Sequence, residues 1–197
     1  MKAKKVLALV LCAALLVAGS VAATLAYLTS KTDVVTNTFS VGNVTITLDE
    51  AKVNEYGVAD TAAARVKANE YKLIPGHTYV KDPKVHVTEK SEQCYVFVKV
   101  VDGLTAIQDA TTIENQMIAN GWKKLDGVEN VWYYENIVDA RTVAVDVPVF
   151  ESFKVKGDAN VAAYAGMTIT VQAYAVQADN FGTAAAAYAA APCTWGE

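Results

Sequence analysis

The sequence predicts an all-β protein: an antiparallel β-sandwich of jelly-roll type, with one short inserted helix and an Ala-rich C-terminal helix, behind an apolar leader. Three observations predict it. Seven or eight runs alternate apolar and polar residues at the period of a strand, turn residues punctuate them at short intervals, and only two stretches beyond the leader carry helical spacing or composition. A chain of 197 residues, 53% of them hydrophobic, is long enough to fill one such core. No tandem repeat and no linker divides it.

The first element is the leader. A basic start, "MKAKK", precedes an apolar run, "VLALVLCAALLVAG", and then small residues, the order of a secretory signal. Thr24 and Ala26 supply the small side chains that a signal peptidase accepts before its cut, which puts cleavage between Ala26 and Tyr27. A cut after Ala22 or Ala23 is the neighbouring alternative. The competing reading is a retained membrane helix, since the 25 residues from Val6 to Ser30 carry no charge and suffice to span a bilayer. The dense aliphatic part ends near Val17, and the small, hydroxylated "AGSVAATLA" that follows favours cleavage. Residues 1–26 are therefore expected to be a cleavable signal peptide and 27–197 a single sandwich domain.

The mature chain opens on "YLTSKTDVVTNT", free of Gly and Pro and rich in Thr, Val and Tyr, the composition of an extended strand or arm over 27–40. "NVTITLDE" sets Val44, Ile46 and Leu48 on one face and Thr45, Thr47 and Asp49 on the other. The polar, Ala-rich "EAKVNEYGVADTAAARVKANE" reads as a surface loop or short helix. Strands resume in "LIPGHTYVKDPKVHV", where Pro75-Gly76 marks a turn and Pro83 an edge or break. "CYVFVKVVDG" is the strongest strand, with Val96, Val98 and Val100 opposite Tyr95, Phe97 and Lys99. In "TIENQMIANGW" the period changes: Ile113, Met117 and Ile118 recur at helical spacing, Thr111 or Thr112 caps, and Gly121 ends the helix. A hairpin turning at Asp126-Gly127 follows, then one strand in "DVPVFESFKV" and another in "MTITVQAYAVQA". The run "TAAAAYAAAP" closes as a helix stopped by Pro192.

Charge and motifs narrow the function. The formal net charge is −4, and loss of the three leader lysines would take it to −7. Nucleic acid needs clustered Lys and Arg, so it is excluded as a partner. Neither His77 nor His86 stands in a zinc-binding spacing, and no nucleophile elbow, P-loop or EF-hand loop is present. His77 reads as a turn residue and His86 as an outward strand position. A pairing of His86 with Cys94 stays open. Asp49, Glu50, Asp102, Asp109 and Asp126 read as solvated carboxylates at strand ends and turns. For Cys94 and Cys193, free thiols are the first reading and a bridge the second. The aromatics Trp122, Trp132, Tyr133, Tyr134, Phe150 and Phe153 read as core, with an exposed sugar-stacking platform as the alternative. No catalytic residue, metal ligand or cofactor is assigned.

The stretch "ATLAYLTSKTDVVTNTFSVGNVTITLDE" resembles the start of the TasA/camelysin family of exported proteins. The matching residues are Thr24, Ala26 and Tyr27 at the cut, then Asn37, Phe39 and Gly42, then Val44 to Leu48. "LIPGHTYVKDPKV", "CYVFVKV" and "ITVQAYAVQADNF" are similar to later segments of such proteins, with His77 where an acidic residue is common. The resemblance implies processing by a signal peptidase of the SipW type and a secreted jelly-roll subunit of a biofilm-matrix or cell-surface fibre in Gram-positive bacteria. It further implies that the subunit donates its mature N-terminal strand to the next copy or to a related fibre subunit. Removal of the leader would leave no permanent membrane anchor. Within that arm Tyr27, Leu28, Val34, Val35 and Phe39 are the expected anchors, because each is β-prone and apolar enough to fill a pocket. The rivals are a camelysin-like secreted metalloprotease, against which the missing zinc spacing argues, and a monomeric surface adhesin binding glycans through the aromatic set.

Overall fold

The computed structural model describes residues 2–26 and 42–196. The leader cut at Ala26–Tyr27 and the arm anchors Tyr27, Leu28, Val34, Val35 and Phe39 are expectations that fall on or beyond the last residue of the first segment. The arm itself, 27–40, lies outside the described residues.

Contacts divide the chain into two units, Met1–Ser40 and Val41–Glu197. In the first, helix α1 runs from Lys2 to Ala26. Leu and Ala dominate it and favour helix, and its 25 residues give it a length of about 37 Å at about 1.5 Å per residue. Residues 3–16 are all exposed, Leu7, Leu9 and Leu16 among them, so apolar side chains point outward all round.

The second unit is an antiparallel β-sandwich. Its strands are β1 (Ile46–Asp49), β2 (Thr78–Val80), β3 (Lys84–Val87), β4 (Cys94–Asp102), β5 (Trp122–Lys124), β6 (Val131–Tyr134), β7 (Val145–Pro148), β8 (Ser152–Lys154) and β9 (Ile169–Gln177). They form a three-stranded sheet β1-β3-β7, a two-stranded ribbon β2-β8 and a four-stranded sheet β5-β6-β4-β9. Helix α2 (Ile113–Ala119) precedes β5, and helix α3 (Ala184–Ala190) follows β9.

Alternation decides which faces meet. Val85 and Val87 of β3 and Val147 of β7 turn inward and are fully buried, against Val96, Val98 and Val100 of β4. Tyr79 of β2 and Phe153 of β8 stack at 4.7 Å in the same core. The other face of β4, Tyr95 and Phe97, packs in a second cluster with Val131, Val176, Ala184, Ala187 and Tyr188. The four-stranded sheet is therefore buried on both faces. Long β4 and β9 pair over their full length, from Cys94↔Gln177 to Asp102↔Ile169.

The caps follow from the sequence. The Thr112 hydroxyl accepts from the Asn115 amide at 3.2 Å to start α2, and Gly121, at φ 88°, turns the chain into β5. Thr183 caps α3 in the same way at 3.1 Å. Gln116 fastens α2 to the ribbon: its Nε2 donates to the Ser152 carbonyl at 2.8 Å and its Oε1 accepts from the amides of Glu151 and Ser152.

One expectation is corrected and one choice between two readings is decided. "DVPVFESFKV" is two strands in two different sheets, not one. Val149 and Phe150 are consecutive and both buried, which breaks the period of two and lets the chain step from the three-stranded sheet to the ribbon. For 50–70, read as a surface loop or a short helix, the loop is what forms. It is pinned by isolated bridges at Glu50↔Val66 and Val53↔Ala59. Gly57 is required there: it has φ 71°, and a Cβ would stand 2.7 Å from the Tyr79 Cα.

Candidate binding groove between two sheet edges

β1 and β9 are terminal strands. Among the described residues β1 pairs only with β3, and β9 only with β4. A groove of about 1340 Å³ is lined by residues of both strands and of the 67–73 and 161–168 segments. Pockets for small molecules run to about 300–1,000 Å³, so this opening exceeds the usual small-ligand range. Ile46 and Leu48 line it from β1, Ile169 and Val171 from β9, together with Tyr71 and Phe153.

These β1 and β9 residues belong to the inter-sheet core, yet they are only half-buried. Val96 and Val98, which face the same cluster from the middle of the sheet, are fully buried. Among the described residues the sandwich is thus closed along β4 and open along β1 and β9. An apolar strip flanked by two strand edges that carry no second strand among the described residues offers hydrogen-bonding groups and side-chain pockets together, the two things an added strand uses.

A buried ion pair supports one end of the groove. Lys81 Nζ lies 2.6 Å from Glu50 Oε2, with both side chains at most 10% exposed. Asn69 donates to Glu50 Oε1 at 2.9 Å and accepts from the Val53 amide at 3.0 Å, which fixes the loop against β1. The Tyr71 hydroxyl donates to the Val80 carbonyl at 3.1 Å. Burial, with the Glu50 charge nearby, pushes that phenol well above its ordinary pKa.

A second network crosses the outer face of the three-stranded sheet. His86 Nδ1 is 2.6 Å from Asp146 Oδ1 on β7, and its Nε2 is 2.9 Å from Asp49 Oδ1 on β1. The Arg65 guanidinium bonds Asp49 through Nε and Asp82 Oδ2 through Nη1 at 2.8 Å. It also reaches the Asp82 carbonyl at 2.8 Å. Burial works to raise the Asp49 pKa, but hydrogen bonds from Arg65 and His86 outweigh it and hold the carboxyl below its ordinary range. For His86 burial pulls downward, and the bonds to Asp49 and Asp146 more than offset it, so the imidazole is raised. Asp146 is lowered chiefly by its bond to His86.

His77 does stand in the turn after Pro75-Gly76, its Nε2 2.8 Å from the Tyr56 carbonyl. His86 is more than the plain outward position its alternation suggested, and Asp49 and Glu50 are not simply solvated. Asp102 is a turn anchor, accepting from the Leu104 amide at 2.9 Å and from Gln108 Nε2 at 2.6 Å. Asp109 pairs with Lys154 at the surface at 2.7 Å. Cys94 is a free, fully buried thiol whose pKa burial lifts to about 11, and both ring nitrogens of His86 face carboxylates instead of it. Cys193 is likewise free and packs beside the second cluster, on the other side of the sheet from Cys94. Trp122, Trp132, Phe150 and Phe153 are buried in the core, and Tyr133 and Tyr134 half-buried, so they form no flat exposed platform. Among the described residues no three His, Cys, Asp or Glu side chains are grouped to hold a metal ion. No protein-family model, no curated protein and no solved structure matches the chain.

Proposed function

We propose that this chain is an exported structural subunit of an extracellular fibre, of jelly-roll type, in which residues 27–40 of one copy lie in the β1–β9 groove of the next. One observation carries the reading: two terminal strands flank an apolar strip of core left half-exposed between the sheets. The segment before the sandwich supports this choice of occupant. The fourteen residues from Tyr27 to Ser40 come just before the described sandwich and reach about 46 Å when extended, at about 3.3 Å per residue. Their β-prone composition suits a strand added to an edge. The leader supports export: helix α1 carries apolar side chains outward, and the junction after it resembles one cut by a SipW-type peptidase. Cleavage before Tyr27 would release the arm from the membrane and so start assembly.

The test compares the chain beginning at Tyr27 with the same chain lacking Tyr27–Thr36, by electron microscopy and sedimentation at increasing concentration. The longer chain is expected to polymerise and the shorter to remain a folded monomer. Equal fibre formation by both, or a longer chain that stays monodisperse at high concentration, overturns the reading. N-terminal sequencing of exported material locates the cut.

A further inference from the structure

We propose that His86 is a proton-held clamp on the edge strand β1: as the imidazolium it bridges Asp49 to Asp146 and, through Asp49, holds Arg65 against the sheet, so that loss of its proton loosens one wall of the groove. The inference concerns the regulation of that groove and takes its significance from the strand-acceptor reading.

Geometry favours the charged ring where both carboxyls are ionised. A neutral imidazole has one N–H donor and one lone pair, and both ring nitrogens here lie within hydrogen-bond distance of carboxylates, at 2.6 Å and 2.9 Å. Only the doubly protonated ring donates to both. The neutral ring would set a lone pair against Asp49 or Asp146. The surrounding charges agree. Facing His86 or linked directly to its partners are Asp49 on β1, Arg65 and Asp82 on the flanking loops, Lys84 on β3 itself and Asp146 on β7, with Lys84 Nζ 3.6 Å from Asp146. Three carboxylates then meet three cations, and deprotonation of His86 leaves one negative charge uncompensated.

Position converts that chemistry into control of the groove. Thr47 is the register partner of His86, and the neighbouring Leu48 and Ile46 are groove wall. Arg65 is followed at once by the Val66 bridge to Glu50 and by residues 67–71, which also line the groove. Strand β1 is only four residues long and has one strand neighbour among the described residues, so side-chain bonds hold a large part of its position.

The sign follows from linkage. The histidine is raised above its ordinary 6.5, so its contribution is fully present below that value and is lost as pH rises through the folded-state midpoint. Asp49 and Asp146 are lowered from 3.8, so theirs is present above that value and is lost as pH falls through their folded midpoints. The clamp is closed between these limits.

Ring-nitrogen NMR of the purified full chain across pH, with His77→Asn used to assign the two histidines, reads the proton directly. His86 is expected to titrate above 6.5 and Asp146→Asn to lower its midpoint. Amide exchange of Ile46–Asp49, corrected for its intrinsic pH dependence, is expected to accelerate through that midpoint, by up to about tenfold for each unit of elevation. His86→Gln should abolish the step. A midpoint at or below 6.5, or exchange in β1 that ignores the His86 titration, overturns the clamp. Fibre formation is scored separately. Fibres with a flat β1 sink the clamp and spare the groove, whereas a β1 that follows His86 in a chain that never polymerises does the reverse.

Discussion

The two faces of β9 are finished differently. On one, Tyr174 meets α3 and the C-terminal segment: its hydroxyl donates to the Ala191 carbonyl at 2.9 Å, and Trp195 Nε1 donates to the Tyr188 hydroxyl at 2.8 Å. Phe97 and Tyr188 lie 5.2 Å apart in the cluster beneath. On the other face Ile169 and Val171 point towards the inter-sheet core but border open groove. The Ala-rich helix seals the first face with segments of its own unit, whereas the described residues leave the second unsealed. One strand thus belongs both to a completed core and to an incomplete one, and substitutions on its two sides should behave differently.

The largest effect is expected on the sealed side. Phe97→Ala empties a fully buried aromatic site and should cost about 3–5 kcal/mol in urea unfolding. Lys81→Met comes next, at about 3 kcal/mol, because it leaves the buried Glu50 with Asn69 as its remaining side-chain partner. Val98→Ala and Val171→Ala sharpen the comparison most directly, since both face the same core and register places them near one another on adjacent strands. The first should cost about 2 kcal/mol and the second less than about 1 in the monomer. If an added strand covers Val171, its cost should rise towards that of Val98 in the assembled state, measurable as a higher critical concentration. Thr183→Ala, which removes the α3 cap, should cost about 1 kcal/mol and loosen the sealed face only.

Much of this architecture was legible in the residues. β4 and β9 carry alternating faces, the 122–134 hairpin has a clear turn at Asp126-Gly127, and Gly121 and the Thr111-Thr112 pair announced the ends of α2. The break at Val149-Phe150 was not legible, because an apolar pair out of phase reads as a continuing strand until two sheets are there to receive it. The His86 network was hidden for a different reason. Its partners lie 37 and 60 residues away in sequence, and only the pairing of three strands brings them together. The groove was equally hidden, because a strand's own alternation does not say whether it has a neighbour on one side or two.

Lys81 has a practical consequence. Its ammonium is shielded and engaged with Glu50, whereas Lys123, Lys124 and Lys154 stand on the outside. An amine-reactive reagent will therefore acylate the outer lysines first. Slow modification at position 81, followed by mass spectrometry, becomes a clock for excursions that pull the loop away from β1.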